Sequence, residues 1–282
     1  MVLLIASASA EARATPAQIR LAEISEMIHT ASLFHDDVID KATTRRGVPS
    51  VNQVYGNKLA ILGGDFLLSR ASISLARLRN LDVVELMSTI IDHLVKGEVM
   101  QMRPLQEKTR DKQNDNVNNQ ALTYYLRKNF YKTASLMAHS CLSAAVLGNY
   151  SDNKKRASYL YGAYVGQAFQ LIDDVLDFEG TTTSIGKAPL ADLKSGLATG
   201  PTLFACDEFP VLHSYIARKF EREGDIEETV SMVLRSQGLQ KTRDLAKVHT
   251  EMAIKLIEDN FEPSLAKNAS VSLAIKVIQR KN

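Results

Sequence analysis

Glycine and proline are scarce, with 14 and 7 residues in a chain of 282. That leaves little punctuation between periodic apolar segments that run almost from end to end. Cysteine is rarer still. Cys141 and Cys206 form neither a CxxC pair nor a disulfide framework, and their apolar surroundings predict buried free thiols. No excess of one charge exists, because the formal net charge is only +2. Nothing therefore pulls the chain as a whole toward nucleic acid, and no nucleic-acid partner is expected. No run of 18 or more apolar residues occurs, so no transmembrane helix is predicted. The opening MVLLIASASA ends in an A-x-A pattern, but it lacks a basic n-region and its apolar stretch is short. It reads as the first helix of the domain rather than as a signal peptide. An Arg- and Ser-rich transit peptide and a fixed-period repeat are also absent.

What is present is amphipathic pattern: 45% hydrophobic and 23% charged residues, ample for a packed core. The simplest architecture is one all-α domain over residues 1–282. A long helix is expected from about 18 to 41, then a basic Gly/Pro-punctuated turn, ATTRRGVP, over 42–49. Helical pattern resumes at 57–78 and 82–102. The polar stretch 104–119 has no apolar period and predicts a surface loop. Long helices are expected at 120–148 and 153–178, then a Gly/Thr-rich loop over 179–200. Four shorter amphipathic helices should fill the last eighty residues or so.

Within this pattern stand two aspartate clusters, Asp36/Asp37/Asp40 in LFHDDVID and Asp173/Asp174/Asp177 in FQLIDDVLD. Residues three and four apart share a helix face, so each cluster presses carboxylates together in apolar surroundings. Without a counter-charge that arrangement is destabilising. A hard divalent cation would supply the charge, and Mg²⁺ takes one or two carboxylates while sharing its other positions with phosphate and water. Two such clusters face to face would cage Mg²⁺ and a diphosphate. A single DDxxD reads as readily as a charged helix end, but two framed by apolar residues point to metal. Basic residues stand close by in sequence: Arg45 and Arg46 after the first cluster, Lys187 after the second, and Lys132 in NFYKTAS. Arg suits bidentate phosphate contacts and Lys point-charge contacts. His35 and His29 lack a histidine at ligand spacing, so packed, hydrogen-bonded roles are expected for them rather than zinc ligation.

The succession HDDVID, RRG, KTA, GQAFQLIDDVLDF and GK closely resembles the trans-isoprenyl diphosphate synthase family. GNKLAILGGDFLL (56–68) and GLATGP (196–201) resemble its long-chain branch, which makes quinone side chains. The resemblance implies helices around a deep central cavity, a homodimer or hetero-oligomer, and a mitochondrial location. It implies that Asp36, Asp40 and Asp173 bind Mg²⁺, supported by Asp37, Asp174 and Asp177. Arg45, Lys132 and Lys187 would contact an allylic diphosphate, and Arg46 the diphosphate of isopentenyl diphosphate. Thr133 and Gln170 match positions near the carbocation and the departing diphosphate. Small residues at Ala31 and Ser32, one turn before the first cluster, imply an open tunnel and a product of C30 or longer. The family's GKxxRP segment, whose Lys and Arg hold isopentenyl diphosphate, would precede MVLLIA and is not among these residues. Weakened condensation of isopentenyl diphosphate is the expectation that follows. A class I terpene cyclase would carry a mixed Asn/Ser/Glu second motif where this chain has DDVLD. A non-catalytic partner subunit is the remaining alternative. The basic tail KVIQRK (276–281) reads first as a cationic helix end, with a weak membrane contact for releasing a polyprenyl product as the alternative.

Overall fold

The computed structural model describes residues 1–8, 13–102, 117–180 and 190–280. Among them the architecture is helical, as the pattern predicts. The elements are α1 (Val2–Ser7), α2 (Pro16–Ile39), a two-stranded hairpin of β1 (Thr44–Arg45) and β2 (Val48–Pro49), α3 (Val51–Tyr55), α4 (Asn57–Arg77) and α5 (Leu81–Met102). Next come α6 (Val117–Asn129), a π-helical turn (Phe130–Ala134), α7 (Ser135–Leu147) and α8 (Asp152–Glu179). The chain continues with α9 (Ala191–Lys194), α10 (Gly200–Ala205), α11 (Leu212–Ala217), α12 (Asp225–Arg235), α13 (Gly238–Asn260) and α14 (Leu265–Gln279).

Two helices organise the rest. On α2, Leu21, Ile24, Ile28 and Ala31 are buried at helical spacing. Thr15 starts this helix with a capping box to Gln18, and Pro16 occupies its first turn. Such a cap contributes about 1 kcal/mol. On α8, Tyr161, Val165, Ala168, Leu171, Ile172 and Val175 form a nearly continuous buried wall, against which Ala246, Ala253 and Ile257 of α13 pack. The opening apolar segment is indeed a packed helix, since Tyr150 donates from its hydroxyl to the carbonyls of Ile5 and Ala6. Both cysteines are buried free thiols, and burial pushes each up to about 12.

Several sequence expectations need correction. The 104–119 stretch lies mostly outside the described residues, but its end, from Val117, already belongs to α6. The helix expected at 120–148 is interrupted by the π-turn. The 179–200 loop contains α9, with residues 181–189 outside the described part. The C-terminal region holds α10 to α14, and α13 is 23 residues long rather than short. Finally, α4 is long and apolar enough on average to cross a membrane. Its polar residues, among them Asp65 and Arg70, interrupt every apolar run without lowering that average much. α4 packs on α2 along one side and leaves Leu59, Leu62, Phe66 and Ile73 exposed on another.

Candidate active site

The first aspartate cluster closes α2, and its three carboxylates meet three different environments. A helix turns about 100° per residue, so adjacent aspartates cannot share a face. Asp37 turns inward, with 2% of its side chain exposed, and receives Arg45 bidentately: Nε to Oδ1 at 2.9 Å and to Oδ2 at 2.8 Å, Nη2 to Oδ1 at 2.6 Å. Asp36 and Asp40 take the other side. Burial pushes the Asp36 carboxyl up; Lys132 opposes that shift, while Glu98 and Asp40 reinforce it. Arg45 reaches Asp37 because the hairpin folds back. Arg46 and Gly47 form its two-residue turn at φ 52° and 78°, with Arg45 opposite Val48. Both turn residues having φ above zero matches the twist of a tight hairpin. Arg46 is carried on that turn, exposed to solvent.

Lys132 and Thr133 sit in the π-turn, a single-turn widening of the kind found at functional sites. Lys132 donates to Glu98 Oε2 at 2.6 Å and to Gln101 Oε1 at 3.0 Å. The turn fits between α5 and α8 because glycine stands on both sides. A Cβ at Gly97 would lie 2.6 Å from Lys132 Cγ, and one at Gly166 would lie 2.5 Å from the Ala134 backbone. Thr133 Oγ1 donates to Gln170 Oε1 at 2.9 Å, and Gln170 Nε2 donates to Asp174 Oδ1 at 2.8 Å. Three of the residues singled out from sequence thus form one hydrogen-bonded chain.

On α8 the second cluster repeats the division. Asp174 is buried and accepts a hydrogen bond from the Tyr125 hydroxyl. Burial drives its carboxyl upward, with Asp192 adding to the shift; Tyr125, Lys128 and Gln170 oppose it. Asp177 is also buried and accepts from the backbone N–H groups of Ala191 (3.1 Å) and Asp192 (3.3 Å), anchoring the start of α9. Asp173 keeps 48% of its side chain exposed and pairs with Arg280. Lys187 lies outside the described residues. His35 contacts the Ile61 carbonyl at 3.2 Å, the packed role expected of it. His29 is partly buried, and burial pushes its pKa down. Ala31 is fully buried, while the Ser32 hydroxyl donates to the His29 carbonyl at 2.8 Å.

A cavity of about 290 Å³ opens where these parts meet, lined by Asp40, Glu98, Gln101, Tyr125, Lys128 and, among others, Lys219. Residues 195–198 form another part of its wall. Glu98, Gln101, Tyr125, Lys128 and Lys219 were not found from sequence. Glu98 and Gln101, polar and three apart at the end of an apolar helix, carried the one readable signal. Among the described residues, no three acidic, His or Cys groups converge closely enough to hold a metal by themselves. The donor set nevertheless suits Mg²⁺. Asp36 is desolvated beside Asp40 and Glu98, and each metal would need only one or two carboxylates, phosphate and water completing its shell.

The class is defined by an all-helical fold that carries an aspartate cluster on each of two long helices, with Lys132 of the π-turn close to the first. The chain belongs to the polyprenyl synthetase family, which matches residues 1–233. It is 49% identical over 265 residues to the probable mitochondrial hexaprenyl pyrophosphate synthase of Neurospora crassa, covering 94% of this chain and 58% of that protein. Among solved structures it resembles heptaprenyl diphosphate synthase from Staphylococcus aureus, at TM-score 0.88 and 28% identity, covering 100% of this chain and 86% of that one. It also resembles the polyprenyl synthase from Caulobacter crescentus complexed with calcium and isoprenyl diphosphate, at TM-score 0.85 and 29% identity, covering 100% and 83%. The chain spans about three fifths of the length of the curated relatives it matches.

Proposed function

We propose that this chain is a Mg²⁺-dependent trans-polyprenyl diphosphate synthase, condensing isopentenyl diphosphate onto an allylic diphosphate. Its product would be a long chain, C30 or beyond, that becomes the side chain of ubiquinone in mitochondria. One observation carries the reading. Asp36 on α2 interacts with Lys132 and Glu98, and Lys128 on α6 interacts with those same two groups and with Asp174 on α8. One chain of charges thus links the two clusters beside the cavity that Asp40, Glu98 and Lys128 line. The names of the curated relatives, hexaprenyl and solanesyl synthases marked mitochondrial, support product class and location.

Asp36, Asp40 and Asp173 would hold Mg²⁺, which when bound neutralises the charge growing on a departing diphosphate. Lys132 and Lys187 would add point charges to the allylic diphosphate, with Arg45 alongside, and Arg46 would meet the diphosphate of the second substrate. As the allylic C1–O bond breaks, the C3=C4 electrons of isopentenyl diphosphate form the new C–C bond. The proton lost afterwards goes to the departing diphosphate, so no protein base is required. Thr133 and Gln170, hydrogen-bonded to each other, would fix the wall beside the cationic carbon. The growing chain would pass Ala31 and Ser32. The exposed apolar stripe of α4 supports pairing of subunits through that helix.

The test is incorporation of radiolabelled isopentenyl diphosphate with farnesyl or geranylgeranyl diphosphate and Mg²⁺, resolved by reverse-phase chromatography. A long polyprenyl product is expected. Retained Mg²⁺-dependent binding of the allylic diphosphate without incorporation would instead assign a partner-dependent or non-catalytic subunit.

A further inference from the structure

Lys128 stands apart from the other cations of the site. Lys132 is held by Glu98 and Gln101, Arg45 by Asp37, and Arg280 by Asp173. Lys128 has no hydrogen bond and no ion pair among the described residues; a cation–π approach places its ammonium 5.7 Å from the centre of the Tyr125 ring. It is nonetheless partly buried, on the wall of the 290 Å³ cavity that Asp40 also lines. Leaving the donors of an ammonium unsatisfied away from water is costly unless an anion meets them. Asp174 and Asp192 attract Lys128 from a distance, yet neither pairs with it, and burial pushes its pKa down. Among the described residues no group bonds it, and the cavity beside it has room for an anion that could.

A second lysine faces the same space. Lys219 follows α11 at φ 54° and Phe220 continues at φ 57°, two successive non-glycine residues in left-handed conformation. Such backbone is strained, and it puts Lys219 on the cavity wall, exposed and without an ion pair among the described residues. The cavity therefore has a metal-ligand candidate, Asp40, on one side and two uncommitted lysines on others. A diphosphate carrying Mg²⁺ presents this charge pattern: metal toward carboxylate, free phosphate oxygens toward ammonium.

Resting on the reading of this site as a diphosphate site, we propose that Lys128 is a direct contact for the Mg²⁺-bound allylic diphosphate, assisted at the cavity mouth by Lys219.

Isothermal titration of the full chain with inorganic pyrophosphate plus Mg²⁺, and with isopentenyl diphosphate in EDTA, tests this. Lys128→Met should weaken Mg²⁺-dependent pyrophosphate binding about tenfold to a hundredfold, the scale of one charge-assisted hydrogen bond. Metal-free isopentenyl diphosphate binding and the melting temperature should stay near those of wild type, and Lys128→Arg should recover part of the loss. Unchanged pyrophosphate affinity in Lys128→Met overturns the proposal and leaves Lys128 a structural counter-charge to Asp174 and Asp192. A loss confined to isopentenyl diphosphate overturns it in favour of the other substrate. Should Lys128→Met fail to fold, Lys219→Met, at the exposed mouth, must weaken the same binding; equal affinity there is also fatal. If wild-type protein itself does not bind pyrophosphate with Mg²⁺, the diphosphate reading of the whole site fails, and this assignment with it.

Discussion

Arg280 donates a 2.5 Å hydrogen bond to Asp173 Oδ1, and its guanidinium also lies 3.9 Å from the centre of the Phe169 ring. The C-terminal end of α14 is thus fastened to the one member of the second aspartate cluster that remains substantially exposed. A metal at Asp173 must compete with this contact. A partly exposed pair contributes on the order of 1 kcal/mol. Arg280→Met should therefore lower the Mg²⁺ concentration that half-saturates pyrophosphate binding about two- to fivefold. A titration that does not move would show that Asp173 takes no part in metal binding.

Arg45 and Asp37 make a different kind of pair, because Asp37 is shut away from water. Arg45→Met would leave that carboxylate buried and alone, at a cost of about 3 kcal/mol in unfolding free energy. Urea denaturation measures the loss, and the double variant Arg45→Met/Asp37→Asn should restore much of it. A stability unchanged in the single variant would mean that Arg45 serves ligands only.

Ala31→Phe probes the path of the product. The added ring should shorten the polyprenyl chain by several isoprene units, read by reverse-phase chromatography. Because Ala31 is fully buried, the ring also overpacks the α2 face by about 1–3 kcal/mol. The product distribution must be measured where the variant is folded, and an unaltered distribution there refutes the tunnel.

Acid should unfold the chain partly through His249. Both of its ring nitrogens are buried with no hydrogen-bond partner among the described residues, and burial pushes its pKa below the ordinary 6.5. In the folded state it resists a proton that the unfolded chain accepts. Its contribution is intact above about pH 6.5 and is lost as the pH falls through the lowered folded value. Denaturation midpoints followed from about pH 7 to about pH 5 should drop less steeply in His249→Leu than in wild type. His29, His93 and His139 are shifted the same way and keep part of the slope.

Much of this site was legible in the sequence because its carriers are helical and spacing on a helix is geometry. The span of α2 and the two clusters lie on elements that apolar periodicity defines, whereas Thr133 and Gln170 were marked by the family resemblance alone, and the π-turn that carries Thr133 was not foreseen. Spacing could not say which aspartate of each DD pair turns inward. Asp37 and Asp174 differ from their neighbours only in what packs on them, Arg45 in one case and Tyr125 in the other. Lys128 was invisible for a related reason: an Arg-Lys dipeptide on a polar helix gives no sign that residues 195–198 will wall a cavity beside it. The average hydropathy of α4 escaped notice because scattered polar residues hide it from any search for unbroken apolar runs.

The π-turn at Phe130–Ala134 amounts to one extra residue in an otherwise continuous rod. It acts as a phase shift: side chains before it, including Tyr125 and Lys128, and those after it, including Ala138 and Cys141, follow helical lattices out of step with each other. A single rod can thereby serve two walls, one charged and one apolar. Removing one residue from this turn would keep the chain helical but rotate everything on one side of it by about a quarter turn.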